Sequence, residues 1–127
     1  MATPRPAKIK EEKLPLDLVH GQMPDSYNEY YVALALDKLG IDYSFQVPLG
    51  MTGVRGSQVI DFVVYNPNPV AVFVQGEYWH NKESASEDQL KQAAAAHRYG
   101  QGNIILLMGE ETDTPEKALQ AVRSKVL

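Results

Sequence analysis

Two apolar, β-branched runs, Val59 to Tyr65 and Val70 to Gln75, stand on either side of Asn66-Pro67-Asn68-Pro69, and this arrangement constrains the chain more than any other feature. Proline and asparagine favour turn geometry and interrupt a ladder, so the runs predict an antiparallel hairpin of core strands. Asp42 to Leu49 alternates well enough to add a third strand and complete a meander, with Gly50, Gly53 and Gly56 marking a flexible turn that ends near Ser57.

Helical spacing surrounds the meander. Tyr27, Tyr30, Tyr31, Leu34 and Ala35 predict a first helix over about 26–39, with Gly40 at its left-handed exit and Ser26 with Glu29 as a capping box. Ser84 and Glu87 suggest a second box. It leads into a helix ending near Tyr99 and Gly100 whose buried stripe is expected to be Leu90, Ala93, Ala94 and His97. Asn103 to Met108 has strand length, and Thr114 with Pro115 opens a last helix carrying Leu119, Val122 and Val126 on one face. A helix crossing back after Gln75 lets the fourth strand lie parallel to a neighbour. The expectation is an α/β domain with a mixed sheet of about four strands flanked by helices, in the order α-β-β-β-α-β-α.

At 127 residues the chain fits one domain over 23–127. Residues 1–22, rich in proline and lysine, read as an extended or flexible arm that is more often solvated than docked on a phosphate backbone. No apolar run approaches the ~18 residues of a membrane span, and no signal sequence is evident, so a cytoplasmic protein is expected. The absence of cysteine excludes disulfides, thiolate metal sites and a cysteine nucleophile. A net charge of -4 argues against indiscriminate coating of nucleic acid, but leaves room for a local basic groove.

Several polar residues do not fit a simple core. Asp61 interrupts an apolar strand and needs a cation or several donors, with Arg55 a plausible ion-pair partner and a solvated strand end the other explanation. Gln75 closes the facing strand. It shares a site with Asp61 if the two stand opposite each other; if Val74 does instead, the Val74 carbonyl still approaches the same spot. His80 is a common ligand type, although a lone histidine beside aromatics is more often packed or exposed. Tyr78 and Trp79 are suited to capping one end of the core, and Lys82 to holding a phosphate or an attacking water, or simply to solvation.

Taken together, Ser26-Tyr27-Asn28-Glu29, Gln46-Val47-Pro48, Ile60-Asp61-Phe62-Val63 and Val72 through His80 resemble the restriction-endonuclease-like PD-(D/E)XK superfamily. The branch they are most similar to contains the very-short-patch repair endonucleases, and Gly76-x-x-Trp79-His80 is the most specific part. The resemblance implies a three-layer nuclease core acting on double-stranded or branched DNA, with Mg²⁺ or Mn²⁺ as cofactor. Asp61 becomes the central metal carboxylate, joined by Gln75 and the Val74 carbonyl, while Glu29 orients a metal-bound water. His80 and Lys82 join the catalytic set, and Arg55, Trp79 and Lys82 are expected to contact nucleic acid. One departure is plain: Gln75-Gly76-Glu77 replaces the usual acidic-x-lysine pattern. The implied activity is phosphodiester hydrolysis in repair, recombination or phage and mobile-element biology. The alternative is a nuclease-fold module with weakened catalysis that serves in DNA binding or assembly.

Overall fold

The computed structural model describes residues 15–50, 59–65, 67–75 and 82–127, the side chains of 82–88 excepted. The β-branched runs pair as their pattern requires. The elements are α1 (Tyr27–Lys38), β1 (Asp42–Pro48), β2 (Val59–Tyr65), β3 (Pro69–Gln75), α2 (Lys82–Tyr99), β4 (Ile104–Met108) and α3 (Pro115–Lys125). The sheet order is β1-β2-β3-β4, with β1, β2 and β3 antiparallel and β4 parallel to β3. The parallel pairing follows from α2, which returns the chain to the starting edge of β3 before β4 begins. Among the described residues the domain is thus α/β, with a four-stranded mixed sheet and three α-helices.

Helices cover both faces of this sheet. On one face, Val32 and Leu36 of α1 and Ala118 and Val122 of α3 pack with Phe62, Val64 and Val72. On the other, Ala95 of α2 meets Ile60, Val63, Ala71 and Phe73. Because β2 is covered on both sides, it is buried without interruption from Ile60 to Val64. Phe62 lies at the heart of the first cluster and is fully buried, so its truncation to alanine costs about 3–5 kcal/mol.

Local signals account for most boundaries. Ser26 caps α1, Gly40 takes φ 70 just beyond its end, and Thr114 caps α3 with Pro115 in the first turn. The expected stripes of α1 and α3 both face the core: Tyr31, Ala35 and Val122 are buried, and Tyr27, Tyr30, Leu34, Leu119 and Val126 are partly buried against the same cluster.

The second helix departs from expectation in two ways. It begins at Lys82, so Ser84 lies inside its first turn instead of capping it; Lys82 and Glu83 are adequate helix formers and extend it upstream. Its buried face is also rotated. Leu90 is 54% exposed, and Ala93 and His97 are exposed, whereas Ala95 is fully buried. The run Ala93 to Ala96 presents the same methyl group at every azimuth and cannot fix a phase, which the sheet contact then decides.

Residues just before α1 are also tied to the core. Val19 and Gln22 exchange backbone hydrogen bonds of 2.8 and 2.9 Å around a two-residue turn in which His20 and Gly21 have φ of 49 and 82. That pattern closes a tight hairpin. Val19 is buried in the α1 cluster, and the His20 ring stacks on Tyr43 at 4.3 Å. Tyr43 in turn donates its hydroxyl to Asp37 Oδ1 at 3.0 Å. No helix of the described residues is long and apolar enough to cross a membrane.

Candidate active site

Glu29 occupies the third position of α1. Its backbone N–H donates to Ser26 Oγ at 3.1 Å, which is half of the expected capping box. The returning bond goes elsewhere: Glu29 Oε1 accepts from the Asp25 N–H at 3.4 Å, one residue before the cap. The carboxylate is therefore turned inward, and Glu29 is only 6% exposed. A second anchor fixes the same helical turn, since Asn28 Nδ2 donates to Gly109 O at 3.1 Å and to Thr112 Oγ1 at 2.9 Å. Thr112 is fully buried and donates to Met108 O, so the start of α1 is fastened to the connection between β4 and α3.

A helix N-terminus favours a negative charge, yet the Glu29 carboxyl is pushed up to about 7 from an ordinary 4.5. Burial is the largest cause, and the carboxylates of Asp61 and Asp25 add to it. The Asp25 N–H bond and the neighbouring Gln46 side-chain amide favour the charged form and pull the other way, without winning.

Asp61 reaches the same place from the sheet. The β2–β3 ladder runs from Tyr65↔Pro69 to Phe62↔Val72, and Asp61 follows its last pair. Continuing the count would place Phe73 opposite Asp61, so neither alternative register, with Gln75 or with Val74 across from it, occurs. The reason is that the side chain replaces the ladder: Asp61 Oδ2 accepts the Val74 N–H at 2.7 Å. It is the amide of Val74, and not its carbonyl, that meets the carboxylate. Asp61 is 8% exposed, and this short bond offsets part of the cost of burying it.

The neighbouring strand is distorted at the matching point. Gln46 falls between the pairs Phe45↔Phe62 and Val47↔Ile60, directly across from Asp61, and takes φ 53 in the middle of β1. Tyr43 and Phe45 before it pack with the α1 cluster, whereas Val47 and Leu49 after it pack with the α2 cluster. Strict alternation would keep all four on one face. On β2, Phe62 and Ile60 are divided in the same way on either side of Asp61. Both strands thus exchange faces at the Gln46–Asp61 level, and this twist lets an acidic side chain of a central strand approach α1.

Of the residues expected to form a site, Glu29 and Asp61 come together. Val74 contributes its amide, and Gln75 ends β3, half-buried and paired with Met108 of β4. Lys82 opens α2, but its side chain lies outside the described residues, as do Arg55, Trp79 and His80 and with them the proposed Arg55–Asp61 ion pair. Two members escaped sequence reasoning. Asp25 looked like a residue preceding a helix, and Gln46 like an ordinary strand residue, because a left-handed backbone at glutamine leaves no trace in composition or spacing.

No family model matches the chain, and neither a curated protein nor a solved structure matches it significantly. What the arrangement can do must come from its own chemistry. Two buried carboxylates from different elements lie close enough for the charge of Asp61 to act on Glu29. Among the described residues, no three His, Cys, Asp or Glu side chains converge as a metal-binding group. The polar neighbours of the pair among the described residues include the Asp25 and Val74 N–H groups and the Gln46 amide. Carboxylate oxygens are the ligand type that hard divalent cations take.

Proposed function

We propose that the domain is a metal-dependent DNA endonuclease of the restriction-endonuclease-like PD-(D/E)XK class, hydrolysing phosphodiester bonds in repair, recombination or phage and mobile-element biology. The supporting observation is the meeting of Glu29 and Asp61, two buried carboxylates held by separate elements where the β2–β3 ladder gives way to an Asp61–Val74 bond. Maintaining two like charges in a buried place costs stability, and a divalent cation is the natural means of recovering it.

Asp61, Glu29 and Gln75 would hold the ion. When bound, it supplies charge stabilisation at the scissile phosphate and a more acidic water. The Val74 N–H fixes the orientation of the Asp61 carboxylate, so that its position is set before substrate arrives. The Glu29 carboxylate, reaching the pair from the start of α1, orients the attacking water. Arg55, Trp79, His80 and Lys82 are proposed to hold the DNA and the leaving oxygen. The partner is double-stranded or branched DNA.

The test is cleavage of plasmid, single-stranded and branched DNA with Mg²⁺ or Mn²⁺, alongside Asp61→Ala. Metal-dependent cleavage that falls at least about 100-fold in the variant is expected; equal cleavage by both proteins would sink the proposal. A second reading, a DNA-binding or assembly module with weakened catalysis, draws on Gln75-Gly76-Glu77 standing where an acidic residue and a lysine are usual. Its outcome is DNA retention that needs no divalent cation and leaves the DNA intact.

A further inference from the structure

We propose that Gln46 is a positioning residue: β1 holds it in a left-handed conformation so that its amide fixes the Glu29 carboxylate beside Asp61. This inference rests on reading the Glu29–Asp61 pair as the active site. Among the described residues, only His20 and Gln46 combine a side chain with positive φ. His20 has an evident local reason, since it and Gly21 form the two central residues of a hydrogen-bonded turn. Gln46 has none. It lies inside a strand with a regular pair on either side, where extended backbone is the ordinary state.

Glycine or asparagine would relieve that backbone, and a position kept only for its shape would be expected to carry one of them. Glutamine adds what they lack: an amide on a long stem. The position is also particular. Gln46 stands across from Asp61 at the level where β1 and β2 exchange faces, and its amide is a polar neighbour of the Glu29 carboxylate on the helix covering that end. A neutral donor suits the task. A lysine would cancel the negative charge that a cation needs, and a glutamate would add a third carboxylate, whereas an amide restrains Glu29 and leaves the charge of the pair intact. Strain kept at one residue beside two buried acids is the pattern of a backbone distorted for its side chain.

The test uses the full chain and two readouts. The first is a double-mutant cycle in urea at pH 8 with Gln46→Gly, Glu29→Ala and the double variant. Gln46→Gly removes the amide and relieves the backbone at once, so its own change in stability has no required sign, but the cycle isolates the contact. The effect of Gln46→Gly on the unfolding equilibrium constant is expected to differ about five-fold between the two backgrounds. Additive effects overturn the inference. The second readout is Mn²⁺ affinity by calorimetry: Gln46→Gly is expected to bind about ten-fold more weakly than wild type. Gln46→Asn, which keeps the amide on a shorter stem and tolerates the backbone, should fall between them. Wild type and Gln46→Gly binding Mn²⁺ equally would overturn the positioning role. If wild type binds no Mn²⁺, the metal-dependent reading of the site fails, and the cycle alone decides whether Gln46 holds Glu29.

Discussion

Helices α1 and α3 start in the same way and use the start differently. In each a hydroxyl side chain caps the helix, Ser26 accepting the Glu29 N–H and Thr114 accepting the Lys117 N–H, both at 3.1 Å. The third helical residue is where they part. In α3 it is Lys117, half in solvent and paired with Asp113 one turn away at 3.2 Å. In α1 it is Glu29, buried with two carboxylates as its charged neighbours. An identical local device therefore serves stability at one helix and, among the described residues, bears an electrostatic cost at the other, and that cost is the reason Glu29 is proposed as a functional position.

The largest contrast is expected in activity. Glu29→Gln should lower DNA cleavage by about 10²–10⁴-fold while Lys117→Ala leaves it unchanged. A Glu29→Gln protein that cleaves as fast as wild type would erase the difference between the two caps.

Stability against pH sharpens the comparison next. The folded protein holds the Glu29 proton up to about 7, whereas an unfolded chain releases it near 4.5. Between those values the native state binds more protons, so stability falls as pH rises through that window, by at most about 3 kcal/mol. Glu29→Gln removes this dependence. Urea midpoints recorded at pH 5 and pH 8 should therefore converge in the variant, which becomes the more stable protein at pH 8. A variant that is less stable at pH 8 would show that Glu29 is not strained.

The caps themselves come third. Ser26→Ala and Thr114→Ala should each cost about 1 kcal/mol in thermal or chemical unfolding. Only Ser26→Ala should also slow cleavage, because only there does the cap direct a site residue. Lys117→Ala has the smallest effect, under about 0.5 kcal/mol, since an exposed pair one helical turn apart gains little in water. Measured losses of similar size at Glu29 and Lys117 would mean that burial does not separate them.

The sequence made the framework legible because its signals were local. Ser26, Gly40, Thr114 and Pro115 act within a few residues of themselves, and each marks a helix boundary in the structure. Val59 to Tyr65 has the strand limits that its composition suggests. What could not be read depended on distant partners. The alanine run of α2 acquires its buried side only from the sheet beneath it. Asp61 was visible as an anomaly, but its Val74 partner is set by where the ladder ends. Gln46 was less visible still, because its meaning lies in one backbone angle and in the residues across the strand. Glu29 and Asp61 were legible as candidates by residue type and by resemblance; their proximity was a property of the fold.

The bonds from Asn28 to Gly109 and Thr112 carry a consequence for biosynthesis. The first turn of α1 leaves the ribosome well before its two acceptors, which lie 81 and 84 residues further along, beyond β4. A nascent polypeptide that stops short of Gly109 has no means of making them, so Glu29 acquires its final seating only after the segment through Thr112 has been synthesised. Stalled chains of increasing length, probed by protease at this helix, should switch from cut to protected once Thr112 has cleared the exit tunnel; protection at much shorter lengths would show that the early half seats itself.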